Sequence, residues 1–121
     1  VSLEFIFKNS IEIKPSENNN ELIRIVGSRS HLNEATKEFI SKIENNKKTK
    51  IVSKGSSLKF CLVAEGTADV YPRFAPTMEW DTAAGQAICQ ASGVKVIDNT
   101  TGKPLQYNKE NLLNPYFLVT V

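Results

Sequence analysis

The sequence predicts an α/β fold, a mixed and largely parallel sheet flanked by helices. Two observations carry that expectation. Short β-branched runs alternate with stretches whose apolar residues recur at helical spacing, in the order strand, helix, strand, helix, strand, helix, strand. Glycines, prolines and Asn/Ser clusters fall between these runs, where turns are needed. The chain of 121 residues is long enough to bury a core as one domain.

The first element is the weakest. Leu3, Phe5 and Phe7, then Ile11 and Ile13, alternate loosely with polar residues as extended structure does. Pro15 and the cluster Ser16 to Asn20 mark a loop, so residues 1–20 read as an extended N-terminal segment ahead of an α/β domain over 21–121. The chain opens at Val1, already inside an apolar run, which is expected of a piece of something longer.

Leu22 to Gly27 is a β-branched run and a strand candidate. Leu32, Ala35, Thr36, Phe39, Ile40 and Ile43 form a helical stripe that Asn45 and Asn46 end. Ile51 and Val52 suggest a second strand closed by Gly55. Ser56 or Ser57 can cap the next helix, with Leu58, Cys61, Leu62 and Ala64 on its buried face and Gly66 as its stop. Asp69 to Phe74 is a third strand, and an Ala-rich helix opens at Asp81 and closes at Gly93. Val94, Val96 and Ile97 form a short strand leading into a turn at Asn99 to Gly102, residues 104–115 are loop, and Tyr116 to Val121 closes the sheet.

Composition excludes several classes. A formal net charge of +2 supplies no large field for nucleic acid or a membrane surface. The basic run Lys47, Lys48, Lys50 reads as solvated cations at a helix end. No apolar run is long enough to span a bilayer. Cys61 and Cys89 lie in apolar helical stretches and read as buried free thiols in a reducing compartment.

The stretch from Tyr71 to Gly93 concentrates the chemistry. Aspartate suits a helix start because it accepts unpaired first-turn amides and meets the positive end of the dipole. Trp80 directly before Asp81 is expected to shield the carboxylate, while Ala83, Ala84 and Gly85 leave room beside it. A shielded carboxylate at a strand-to-helix turn is a seat for a hard divalent cation. Polar clusters also fall at Ser28 to His31 and Gly55 to Ser57, and in a parallel sheet these junctions share the edge where ligands bind. Helix N-termini favour oxyanions, so the pattern reads either as phosphate chemistry or as three ordinary caps.

At these residues the sequence resembles a known family. Trp80-Asp81-Thr82-Ala83-Ala84-Gly85 is similar to the second signature of the inositol-monophosphatase-like, lithium-sensitive phosphatases. Ser28-Arg29-Ser30-His31, Gly55-Ser56-Ser57-Leu58-Lys59-Phe60 and Glu65-Gly66 leading to Tyr71-Pro72-Arg73-Phe74 resemble bacterial 3′(2′),5′-bisphosphate nucleotidases of the CysQ type. The likeness runs from about Ile23 onward, and implies the C-terminal half of a layered α/β/α/β/α phosphatase fold. It implies a cytoplasmic, Mg²⁺-dependent enzyme that converts adenosine 3′,5′-bisphosphate to AMP and phosphate and protects sulfate assimilation. A peripheral place at the inner face of a membrane stays open. The implied partners are the nucleotide and the N-terminal half of the same enzyme.

The family's first signature, Asp-Pro-Ile-Asp-Gly-Thr, and its upstream Glu-Glu pair do not occur; the aspartates are Asp69, Asp81 and Asp98. Magnesium demands several oxygen ligands in near-octahedral geometry, so this chain alone is expected to be catalytically silent.

By the resemblance, Asp81 ligates the metal near the leaving-group oxygen; its bland alternative is a plain cap. His31, with Ser28 beside it, hydrogen-bonds a ribose or phosphate oxygen, or else simply bonds backbone. Gly55 and Ser56 offer amides to the nucleotide, and Lys59 reaches a phosphate or is a solvated lysine. Arg73 clamps the second phosphate or pairs with Glu79 or Glu65. Tyr71 contacts substrate or is core, and Trp80 stands behind the ligands. Inositol-phosphate members carry an acidic residue near Arg73, so arginine there favours a bisphosphate. An inositol or sugar monophosphatase and a non-catalytic nucleotide-binding module are the alternatives.

Overall fold

A computed structural model describes residues 9–17, 21–27, 32–53, 55 and 58–121. The elements run β1 (Leu22–Val26), α1 (Glu34–Glu44), β2 (Lys48–Val52), α2 (Leu58–Ala64), β3 (Val70–Arg73), α3 (Glu79–Ser92), β4 (Lys95–Asp98) and β5 (Phe117–Thr120). Residues 9–17 form no regular element, and Ile11 is exposed.

The sheet has five strands in the order β2-β1-β3-β5-β4. β1 pairs in parallel with β2 and β3, whereas β5 runs antiparallel to both β3 and β4. Four of the five strands therefore point one way and β5 alone opposes them, the mixed, largely parallel arrangement the alternation predicts. The chain moves outward from β1 to β2 and then crosses back to β3 on the other side of β1. The meeting of β1 and β3 is a topological switch point, and their register is limited to Ile25 opposite Val70.

Strand alternation divides the core between two faces. Ile25 and Val70 bury against Ile40 of α1, with Ile23, Phe39, Ile43 and Leu118 packed around them. Val26, Tyr71, Phe117 and Val119 face α2 and α3, where Phe60, Val63 and Cys89 complete the larger core. Among the described residues no helix is long and apolar enough to cross a membrane.

Two elements differ from expectation. β2 begins at Lys48 rather than Ile51, because the Lys48-Thr49-Lys50 run pairs in register with Leu22-Ile23-Arg24. Those lysines decorate an edge strand, a common protection against edge-to-edge pairing. In α2, Leu58 is exposed and Phe60 is buried instead. The seven-residue helix is oriented by Phe60, whose ring stacks on Phe117 at 5.8 Å and meets Tyr71 edge-on at 5.6 Å.

Phe60 also sets how closely α2 and α3 approach. A Cβ added at Gly85 would lie 2.5 Å from the Phe60 ring, well inside contact distance. Gly85→Ala is expected to destabilise the chain by about 1–3 kcal/mol through overpacking. Denaturant unfolding checks this; an unchanged midpoint would show that the ring can move aside.

Candidate functional site

α3 starts two residues before the expected point, at Glu79, with Met78 as the cap position. Helical spacing then puts Glu79, Thr82, Gln86 and Cys89 on the buried face and turns Trp80 and Asp81 outward. Asp81 is consequently an inner first-turn residue rather than the cap, and its Oδ2 accepts from the Met78 N–H at 2.9 Å. Trp80 does not shield it: the indole is 68% exposed and the carboxylate itself is exposed.

A cleft of about 420 Å³ opens at the carboxyl end of β3, lined by Lys59, Phe60, Tyr71, Arg73, Trp80 and Asp81 among others. Its position follows from the topology. Arg73 is the last residue of β3, Lys59 lies in the first turn of α2 and Asp81 in the first turn of α3. A larger groove of about 630 Å³ on the opposite face, between α1 and Val70 and Leu118, has a mainly apolar surface, and its charged residues include two carboxylates, Glu17 and Asp69, beside Lys42 and Lys47.

The two cations of the cleft have no carboxylate to themselves. Among the described residues neither Lys59 nor Arg73 forms an ion pair, and the buried Arg73 Nε has no hydrogen-bond partner. The expected alternative, a bridge from Arg73 to Glu79 or Glu65, does not form. Glu79 is bonded to Lys109, and Glu65 accepts from Thr67. Lys59 lies over the Tyr71 ring, 5.9 Å from its centroid. Partial burial and then the neighbouring Arg73 charge pull the Lys59 ammonium below its usual pKa. Burial pushes the Tyr71 phenol up, against an opposing pull from Arg73. Tyr71 is thus both core and cleft wall.

Of the other expected residues, Gly55 is exposed and lies outside the cleft lining. Ser28, His31 and Ser56 lie outside the described residues.

A divalent metal is implied by the family signature. The Asp81 carboxylate fits one ligand of a hard-cation site, because the residue is exposed and lines the cleft while its Oδ1 makes no hydrogen bond among the described residues. It fits no more than one. Among the described residues no group of three or more His, Cys, Asp or Glu side chains could hold a metal ion.

The sequence reasoning missed the residues that support the first turn of α3. Glu79, almost fully buried, accepts from the backbone N–H groups of Asn108 and Lys109 and from the Lys109 ammonium. Thr82, Gln86, Tyr107 and Asn114 join by hydrogen bonds behind it. A signal existed: polar residues at 79, 82 and 86 share the helical period of the buried Cys89.

An α/β phosphatase fold with a cationic cleft at its strand ends is the class these features define. The Inositol monophosphatase family model matches residues 4–116, and the chain belongs to that family. It is similar to the 3′(2′),5′-bisphosphate nucleotidase CysQ of Escherichia coli K12, with 51% identity over 98 residues, 80% of this chain and 38% of that protein. The corresponding protein of Buchnera aphidicola is 56% identical over 84 residues, 69% of this chain and 30% of its own length. The crystal structure of CysQ from Bacteroides thetaiotaomicron superposes with a TM-score of 0.87 at 47% identity, covering 100% of this chain and 45% of that one. The chain thus spans less than half the length of each of these relatives.

Two pH-dependent outcomes follow. Because the Lys59 pKa is lowered, its ammonium deprotonates earlier than an ordinary lysine as pH rises, and an anion in the cleft must reverse that shift. Lysine side-chain NMR of the chain is expected to show the Lys59 midpoint moving up when inorganic phosphate is added; an unmoved midpoint would separate Lys59 from anion binding. Lys109 holds the Glu79 carboxyl below its usual range. Its contribution to stability is complete above the unfolded-state carboxylate pKa of about 4.3 and is lost as pH falls through the lower folded value. Melting temperatures across the acid range are expected to fall less steeply for Glu79→Gln than for the unaltered chain.

Proposed function

We propose that this chain is the C-terminal half of a Mg²⁺-dependent phosphatase that hydrolyses adenosine 3′,5′-bisphosphate to AMP and phosphate in the cytoplasm. The single observation that carries the reading is the cleft in which Lys59 and the buried, partnerless Arg73 Nε face the exposed Asp81 carboxylate. Two cations in one cleft that form no ion pair among the described residues favour a polyanion. Guanidinium recognises phosphate oxygens by a fork of donors, while the ammonium acts as a point charge. The identity to CysQ proteins supports a bisphosphate nucleotide over other anions.

In this reading Arg73 and Lys59 hold phosphate oxygens and orient the ester. Tyr71 fixes the angle of approach by walling the cleft beneath Lys59, and Asp81 contributes one oxygen to the metal. When bound, magnesium supplies charge stabilisation at the phosphoryl and leaving-group oxygens. The remaining ligands and the group that activates water belong to the N-terminal half, which we propose as the partner of this chain. The outward face of α3 suits that contact, since Trp80, Ala83, Ala84, Ala87 and Ile88 are all exposed.

One observation favours a second reading, an anion-binding module without turnover. Asp81 has no acidic companion in the cleft lining. Phosphate release by the protein from the full reading frame separates the two. Metal-dependent turnover of adenosine 3′,5′-bisphosphate, faster than that of inositol 1-phosphate, is expected. Binding without turnover would favour the module, and preference for inositol 1-phosphate would move the substrate to inositol or sugar phosphates. Asp81→Asn is expected to lower kcat by roughly 10²-fold or more, the scale of several kcal/mol of lost charge stabilisation. Its melting temperature should hardly change, and unchanged turnover would refute the ligand role.

A further inference from the structure

The loop from Leu105 to Tyr116 grips the start of α3 at Thr77, Met78, Glu79 and Thr82, on either side of the exposed Trp80 and Asp81. The Glu79 N–H donates to Leu112 O and the Asn114 N–H to Thr77 O, each at 2.9 Å. Met78 and Leu113 form an isolated antiparallel bridge. Glu79 takes two backbone amides and the ammonium of the same loop. The Asn114 amide does the most: its Nδ2 lies 3.0 Å from Met78 O, 3.2 Å from Thr77 Oγ1 and 3.1 Å from Thr82 Oγ1. One side-chain group therefore holds the chain on both sides of Asp81.

The orientation of the Asn114 amide is determined by chemistry. A carbonyl only accepts, so the Asn114 NH₂ must face Met78 O, and a flipped amide would set two acceptors against each other. The Tyr107 hydroxyl lies 2.6 Å from Gln86 Oε1, also an acceptor, so the tyrosine proton points there. Thr82 Oγ1 then accepts from Asn114 and can donate to Tyr107 at 2.9 Å. The Thr82 hydroxyl also lies 3.2 Å from Glu79 O, so its single proton has two acceptors within reach, and the network joins Asn114, Thr82, Tyr107 and Gln86 behind the first turn of α3. With its NH₂ facing Met78 O, Asn114 Oδ1 is buried and has no hydrogen-bond partner among the described residues.

We propose that Asn114 is a positioning residue for Asp81. By clamping Thr77, Met78 and Thr82 it holds the Met78 N–H against Asp81 Oδ2 and aims the other carboxylate oxygen at the cleft. The inference rests on the reading of Asp81 as a metal ligand, and its test has an arm that does not.

Asn114→Asp keeps the shape and removes the donors. In the metal-free protein from the full reading frame, amide exchange over residues 78–83 is expected to accelerate about tenfold or more, with β1 and β2 amides unchanged. In phosphate release, the Mg²⁺ concentration for half-maximal rate is expected to rise by a similar factor. The KM for adenosine 3′,5′-bisphosphate at saturating Mg²⁺ should stay within about twofold, since Lys59 and Arg73 are untouched. Tyr107→Phe removes one link and should move both readouts the same way by less, which keeps the test open if Asn114→Asp fails to fold. Gln106→Ala, on the exposed side of the same loop, should move neither. Exchange that accelerates evenly through the sheet, or an unaltered metal requirement with Asp81 still essential, overturns the proposal. If Asp81→Asn leaves the metal requirement intact, the ligand reading fails and local exchange alone judges the clamp.

Discussion

The buried carboxylate of Glu79 is the constraint on which the rest of the site depends. A charge at the start of a helix, almost out of solvent, is tolerable only where donors converge on it. Here the converging groups are two backbone amides and one ammonium, all from the Asn108–Lys109 corner of the loop between β4 and β5. Satisfying that charge brings the loop onto the helix, and once there the loop supplies Tyr107 and Asn114 to the polar network behind Thr82. The rotational phase of α3 follows. With Glu79 inward, Asp81 must point outward, toward the cleft at the end of β3.

The cleft shows the opposite electrostatic design. Where Glu79 is fully answered, Lys59 and Arg73 form no ion pair among the described residues, and Lys59 lies over the Tyr71 ring with the Arg73 charge nearby. A fold can sustain such an imbalance at its surface at modest cost, since water screens the partly exposed lysine. It becomes an advantage when an anion arrives, because no internal ion pair must first be broken. The two cations and the outward aspartate meet in one cleft because the strand order brings the end of β3 and the first turns of α2 and α3 together.

Much of the fold could be read from the chain before its structure. The apolar stripe Phe39, Ile40, Ile43 and the β-branched run at Ile23 to Val26 each express a single periodicity, so the first strand and helix are nearly as expected. Gly93 closes α3 in the left-handed conformation its position suggests. Tertiary context decided the rest. Lys48 to Lys50 carry little strand propensity and join β2 because β1 offers a partner edge. Phe60 rather than Leu58 turns inward, where its ring fills the space between Gly85, Tyr71 and Phe117. Asp81 reads as a cap only if Glu79 is taken for a surface residue.

Local chemistry alone determined that this protein would be an alternating α/β chain with one candidate ligand, Asp81, at a strand-to-helix turn. Those features depend on neighbours within a turn or two, which a linear sequence displays directly. Only the tertiary structure decided which side of α3 is buried, that Lys59 and Arg73 share a cleft and form no ion pair among the described residues, and that Asn114 bonds the helix start from more than thirty residues away. The physical reason is burial. Whether a polar side chain is a solvated ornament or a fastening depends on which distant donors and acceptors the folded chain carries to it.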